Sequence, residues 1–161
     1  MNATLKCYEP SMQPAVEALY RECFGALGWE YEPGGRHSDL VNIPAVYQEG
    51  GQFWCLYDGD ELVGTVAVCA LALGEAGQAG KTAELKRLYV SPARQGEGFG
   101  GLLFDAALKF AREAGFEKMY ADTRRDRSAS QHLMRKNGFR EIRQYNDNDF
   151  AELFFELDLS D

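Results

Sequence analysis

The sequence predicts a mixed α/β (α+β-like) fold: a central sheet of about seven strands, antiparallel in its first half and parallel through β-α-β units in its second, with helices on both faces. Three observations carry this expectation. Two β-prone runs, Phe53–Tyr57 and Leu62–Leu71, flank the turn signal Asp58-Gly59-Asp60 and read as a hairpin. Two helical stretches, Gly98–Gly115 and Ser128–Asn137, are each followed by a short β-prone run, Phe116–Ala121 and Phe139–Arg143. Finally, 161 residues of which 45% are apolar and 26% charged suit one globular domain spanning 1–161. No repeat, low-complexity tract or linker divides them.

Taken in order, Thr4–Tyr8 reads as a strand, and Ser11 as the N-cap of a helix running to about Ala26, with Val16, Leu19, Tyr20 and Phe24 on one side. Gly28–Gly35 is a loop, and a second short helix covers Ser38–Tyr47, interrupted by Pro44. After the hairpin, the Gly/Ala stretch Gly74–Gly80 leads to a strand at Ala83–Val90. The long helix places Leu103, Ala107, Phe110 and Ala114 on one face. Asn146–Asp149 marks a turn before a last strand, Leu153–Leu159. The step from Ala83–Val90 through the helix to Phe116–Ala121 should be parallel and right-handed.

Composition excludes several function classes. The net charge of −8 argues against a nucleic-acid partner, and the one basic cluster, Arg124, Arg125 and Arg127, is interrupted by Asp126. An acidic surface gently favours a cationic ligand such as an amine, or serves solubility alone. The longest apolar run, Val66–Leu73, is too short to span a bilayer, and the N-terminus builds no signal peptide, so no membrane is expected and a cytoplasmic location is. Cys7, Cys23, Cys55 and Cys69 form no CxxC pair and neither His37 nor His132 lies near a cysteine, so neither a disulfide framework nor a metal is expected.

The chemistry concentrates at Ser91–Leu103. A strand ends, and a helix follows whose start carries Gly96, Gly98, Gly100 and Gly101. Glycine in a helix costs up to about 1 kcal/mol relative to alanine, so the cluster needs a reason. Close approach supplies one: unpaired N–H groups at a helix start can surround a diphosphate, assisted by the helix dipole. No Gly-Lys-Ser/Thr follows, so this is not a P-loop. Gly96, Gly98 and Gly101 do have dinucleotide-binding spacing, and Asp122, about 20 residues on, would be the ribose acid. That fold, however, puts its motif in the first β-α-β unit, whereas several antiparallel strands come first here.

Gln95-Gly96-Glu97-Gly98-Phe99-Gly100 resembles the Q/R-x-x-G-x-G/A signature of the GNAT superfamily of N-acetyltransferases, preceded by matching strand text, Glu84–Val90. Ala129–Phe139 is similar to the family's second motif, and the tail from Tyr145 to Leu159 to that of small bacterial members. The resemblance implies a GNAT-type sheet and acetyl-CoA as cosubstrate, with the main chain of Leu88 and Val90, around Tyr89, pairing with the pantetheine amides. It also implies that the amides of Gln95, Gly96, Glu97, Gly98, Phe99, Gly100 and Gly101 hold the pyrophosphate, and that Ser128, Ser130 or Lys136 contact the coenzyme from the other side. Within the strand, Leu85 and Leu88 are out of step for period two; one extra residue would make a bulge that frees backbone groups for a ligand, and an uneven but ordinary strand is the alternative.

Acyl transfer to an amine needs a neutral nucleophile, a polarised carbonyl and protonation of the leaving thiolate. Glu84 is the candidate general base, the alternative being a surface or ion-pairing carboxylate. The family's usual acid is a tyrosine where this chain has Met134, which donates no proton and equally suits a core. Tyr145 or Tyr120 would substitute, or solvent. His132 reads as a packing or surface residue, and His37 lies in a segment that could border the acceptor pocket. Trp29, Tyr31, Phe53, Trp54 and Tyr57 either line that pocket or build the core. The first expectation is an N-acetyltransferase acting on a small-molecule or peptide amine, with homodimers common among relatives. The alternatives are a non-catalytic acetyl-CoA sensor and a dinucleotide-dependent oxidoreductase.

Overall fold

A computed structural model describes residues 3–71 and 82–160. Strand β1 (Ala3–Cys7) leads through a 3-10 turn, Pro10–Met12, into α1 (Gln13–Ala26). A second 3-10 turn, Ser38–Val41, precedes α2 (Ile43–Tyr47). Three strands follow, β2 (Gln52–Asp58), β3 (Glu61–Ala70) and β4 (Thr82–Val90). Next come α3 (Phe99–Glu113), β5 (Lys118–Thr123), α4 (Ser128–Lys136), β6 (Arg140–Ile142) and β7 (Leu153–Asp158). The seven strands form one sheet in the order β1-β2-β3-β4-β5-β7-β6. Among the described residues only β4 and β5 pair parallel; every other pair is antiparallel. This is the expected mixed sheet; the Gly74–Gly80 connection lies outside the described residues.

Alternation along β2 shows how the sheet is covered. Phe53 and Cys55 join the core under α1 and α2, while Trp54 and Leu56 join the core under α3 and α4. Each fully buried Leu or Phe contributes about 1.5–3 kcal/mol by leaving water. Helix α1 inserts Val16, Leu19, Tyr20, Cys23 and Phe24 into the first core, which contains the expected apolar face.

Three local expectations need correction. Ser11 lies inside the 3-10 turn, and α1 begins after Met12 with no side-chain cap; Pro14 occupies its first turn, where the missing N–H is not needed. Pro44 does not interrupt a helix but sits in the first turn of α2; the break falls at Asn42, whose φ of −138° and ψ of 38° are not helical. The buried face of α3 is Phe99, Leu103, Phe104, Ala107, Leu108 and Ala111, rotated from the expected stripe, with Ala114 exposed beyond the helix end.

The bulge in β4 is present and it shapes the site. Tyr89 stands opposite Thr65 and Lys86 opposite Ala67, so Arg87 and Leu88 together face Val66 alone. Arg87 takes up the extra residue with φ 57°, a left-handed conformation that costs about 1–2 kcal/mol for a residue with a Cβ. On its other edge β4 pairs with β5 only from Thr82 to Leu85, opposite Lys118 to Ala121. Beyond that point the two strands are not paired, and a cleft occupies the gap.

Candidate active site

Two clefts meet beside the unpaired half of β4. The smaller, of about 220 Å³, lies between the β4–α3 loop and the start of α4; Val90, Gln95, Gly96, Gly98, Gly100 and Ser128 are among its walls. The larger, of about 430 Å³, opens over the face carrying Glu84, Lys86, Asp122 and Arg124. Leu88, Arg127 and Ser130 line both.

The smaller cleft fits a diphosphate. Gly96 and Gly98 both have φ 87°, which only glycine adopts without strain, and a Cβ on either would meet nothing within 4 Å. These two therefore set the path of the loop, so that the free N–H groups at the start of α3 edge an open space. Gly100 and Gly101 continue the helix, Gly100 facing Leu133 across the cleft. Phe99 is buried in the core, so only its main chain remains available. The Glu97 carboxylate turns away to Arg94 at 2.9 Å, which holds it below the ordinary carboxylate value; Arg94 also binds Asp58 and Glu61.

The main-chain acceptors of β4 already have side-chain partners. The Leu88 carbonyl accepts Nη2 of Arg127 at 2.9 Å, and that guanidinium stacks over the Tyr89 ring at 4.3 Å. The Val90 carbonyl accepts Nε2 of Gln95 at 3.3 Å and Sγ of Cys23 at 3.6 Å. Ser130 is buried and shares a 2.9 Å hydrogen bond with Thr123. Ser128 is exposed at the first residue of α4, and Lys136 is exposed at its other end, lining neither cleft.

Glu84 is buried at 6% exposure, at the wall of the larger cleft. Tyr145 donates to its Oε2 at 2.6 Å, Asn146 donates to the same oxygen at 3.2 Å, and Lys86 Nζ lies 3.6 Å from Oε1. Asn146 also donates to Asp122 at 2.8 Å, and Asn148 at 3.1 Å. Burial, followed by the Glu84 charge, pushes the Tyr145 phenol far above its ordinary value. Tyr120 lies on β5 away from the clefts, with its phenol pushed up to about 12 by burial and Glu156. Met134 is 2% exposed, part of the α3-side core and the floor of the larger cleft.

His37 is buried against Phe24 with ring centroids 4.4 Å apart, and its Nδ1 accepts the Glu32 N–H at 2.9 Å. Burial, then Arg87 and Arg36, hold its pKa down to about 4, so it is neutral near pH 7. His132 is exposed. Of the five aromatics expected at the pocket or core, only Trp29 lines the larger cleft; Phe53 and Trp54 are core, and Tyr31 and Tyr57 pack beside it. Sequence reasoning missed the roles of Asn146, Arg36 and Arg127. Arg127 had a signal, its place just before α4; Arg36 had none, because its partner ring, Phe150, is far away in the chain.

The splayed strand, glycine-lined loop and flanking α4 enclose the two adjoining clefts. Residues 14–139 match the acetyltransferase (GNAT) family, and the chain belongs to it. N-acetyltransferase 8B of Rattus norvegicus is 31% identical over 111 residues, 68% of this chain and 49% of that protein. Uncharacterized N-acetyltransferase YjgM of Escherichia coli (strain K12) is 29% identical over 113 residues, 68% of this chain and 65% of that protein. The chain spans 35% to 65% of the length of the curated relatives it matches. Among solved structures, a GNAT acetyltransferase of Staphylococcus aureus Mu50 superposes with a TM-score of 0.82 at 21% identity, covering 98% of this chain and 99% of the other. Salmonella typhimurium yncA, solved with acetyl-CoA, superposes with a TM-score of 0.77 at 20% identity, covering 100% and 96%. Both show the shared fold. Among the described residues no helix is long and apolar enough to cross a membrane.

Proposed function

We propose that the protein is an acetyl-CoA-dependent N-acetyltransferase that moves an acetyl group directly to a primary amine of a small molecule or peptide. The observation that carries this reading is the junction of the two clefts at Leu88, Arg127 and Ser130, with the buried carboxylate of Glu84 on the far side. The N–H groups of Gln95 to Gly101 would hold the pyrophosphate, the main chain of Leu88 and Val90 the pantetheine, and Ser128 and Ser130 the opposite wall. Bound there, acetyl-CoA supplies an acetyl group activated as a thioester.

Glu84 accepts the proton that the amine sheds, directly or through one water. Lys86, Tyr145 and Asn146 hold that carboxylate in place between uses. Tyr145 suits the role of positioning residue better than that of general acid. Its proton already points at Glu84, and a phenol raised above its ordinary value is a weak donor to a departing thiolate. The proton taken by Glu84 returns to the sulfur or passes to solvent. A domain that only sensed the coenzyme would have no use for a buried carboxylate held by three partners at the acceptor side.

The test is isothermal titration with acetyl-CoA, comparing the wild type with Gly100→Glu. Gly100 has ordinary helical backbone, and its added Cβ would sit 3.4 Å from Leu133 Cδ1, so the variant folds while its carboxylate intrudes on the cradle. Binding by the wild type and loss in the variant, followed by amine-dependent thiol release, are expected. A wild type that does not bind acetyl-CoA sinks the assignment; undiminished binding by the variant sinks the cradle.

A further inference from the structure

The larger cleft is cationic although the chain is acidic. Arg36, Lys86, Arg87, Arg124 and Arg127 line it, against the carboxylates of Asp39, Glu84 and Asp122. Most of these charges are spent locally. Arg87 forks onto Asp39, Lys86 faces Glu84, and Arg36 reaches Glu32 at 2.6 Å. Arg127 donates to the Leu88 carbonyl and borders the coenzyme cleft as well, so its charge is within reach of that ligand.

Arg124 is different. It lines the larger cleft and not the smaller one. Its nearest carboxylates, Asp126 and Glu152, lie at 3.9 and 3.8 Å, beyond hydrogen-bond range, and its Nη1 donates to the Phe150 carbonyl. Its Nε is buried and has no hydrogen-bond acceptor among the described residues. The guanidinium therefore has hydrogen-bonding capacity that the fold does not use in full. The guanidinium is also held still. Phe150 carries Arg124 at 4.3 Å and Arg36 at 4.0 Å from its ring centre, with Trp29 against its edge. Two arginines braced on one ring at the wall of a cleft form a preorganised anion receptor.

Resting on the acetyltransferase reading, we infer that the acceptor is an amine that also carries a carboxylate, an amino acid or close analogue, with the carboxylate at Arg124 and Arg36 and the amine directed to Glu84. Arg36 also pairs with Glu32, and Arg124 lies 3.9 and 3.8 Å from Asp126 and Glu152, so the positive charge left for a ligand matches a single negative charge better than the double charge of a phosphate. Cationic walls also help the reaction, because they disfavour the ammonium form and so enrich the neutral amine that attacks.

The experiment measures kcat/KM by mass spectrometry of the acetylated product, with acetyl-CoA and matched acceptors. L-phenylalanine, L-methionine and L-glutamine are each compared with the amino alcohol in which CH2OH replaces the carboxylate, and the remaining amino acids are screened alone. The acids are expected to exceed their alcohols by about tenfold or more, as befits a charge-assisted contact. The ratio should fall towards one in Arg124→Gln and in Arg36→Gln, with acetyl-CoA affinity retained in both. Arg124→Lys, which keeps the charge but not the fork, should recover part of it. Alcohols used as well as acids, a preference that survives Arg124→Gln, or turnover restricted to amines without a carboxylate would each overturn the inference while leaving acetyl transfer intact. Failure of the wild type to bind acetyl-CoA would instead strike the underlying reading.

Discussion

Asp39→Asn removes one charge from the contact that anchors the bulge of β4. In the wild type, Asp39 accepts Nη2 and Nε of Arg87 at 2.7 and 2.9 Å and the Tyr47 hydroxyl at 2.5 Å. The two charged side chains are only 14% and 19% exposed. Removing one partner of a buried pair costs about 3–5 kcal/mol, because the remaining charge is left without compensation. The residual exposure and the surviving amide oxygen place this case near the lower end, about 3 kcal/mol. For a chain of this size each kcal/mol lowers Tm by about 2–4 °C, so a fall of about 6–12 °C is expected. Thermal unfolding followed by circular dichroism measures it directly. The effect also has a pH signature. Burial alone would raise the Asp39 carboxyl, yet the Arg87 fork and the Tyr47 hydroxyl hold it below its ordinary value. A lowered folded value means stability that is fully present above about pH 4 and lost as pH falls through the folded value. The gap between wild type and variant should therefore narrow in acid. A Tm change below about 2 °C at neutral pH, or a gap that widens in acid, would refute the reasoning.

Other predictions concern chemistry. Glu84→Gln should lower kcat by about a hundredfold or more while acetyl-CoA still binds; near-normal turnover would remove Glu84 from the mechanism. Tyr145→Phe should lower kcat/KM by less than about tenfold with acetyl-CoA affinity retained, because the carboxylate loses a donor at 2.6 Å but keeps Asn146 and Lys86. A pH-independent loss of several hundredfold would make Tyr145 the acid after all. Burial pushes the thiols of Cys23, Cys55 and Cys69 up to about 12, whereas Cys7 is exposed, so a disulfide reagent near neutral pH should label Cys7 first and all four only after unfolding. Equal rates for Cys7 and Cys55 in the folded protein would contradict the burial described here.

Local patterns were the legible part of this sequence. The β-prone run Phe53–Tyr57 with its turn signal, the glycines after Val90 and the broken period between Leu85 and Leu88 each speak through neighbouring residues, and each corresponds to a feature of the structure. Ser11 misled because capping residues also suit a 3-10 turn, and the apolar stripe of α3 was misplaced because Phe104 and Leu108 shared its helical face. Contacts across long stretches of chain left no such trace. Asp39 meets Arg87 across 48 residues, Tyr145 meets Glu84 across 61, and Arg36 meets Phe150 from the opposite end of the chain. The Arg124–Arg127 cluster was visible, but the chain's overall acidity hid that these cations gather in one cleft.

The bulge also divides β4 into two segments that should open on different timescales. From Thr82 to Leu85 the strand is paired on both edges, so its amides should exchange with deuterium only when the sheet itself opens. From Leu88 to Val90 it has a strand partner on one edge only, and exchange there should run faster. A ligand that docks along that free edge would slow the second segment and leave the first unchanged, so this one strand carries both a probe of occupancy and its own internal reference.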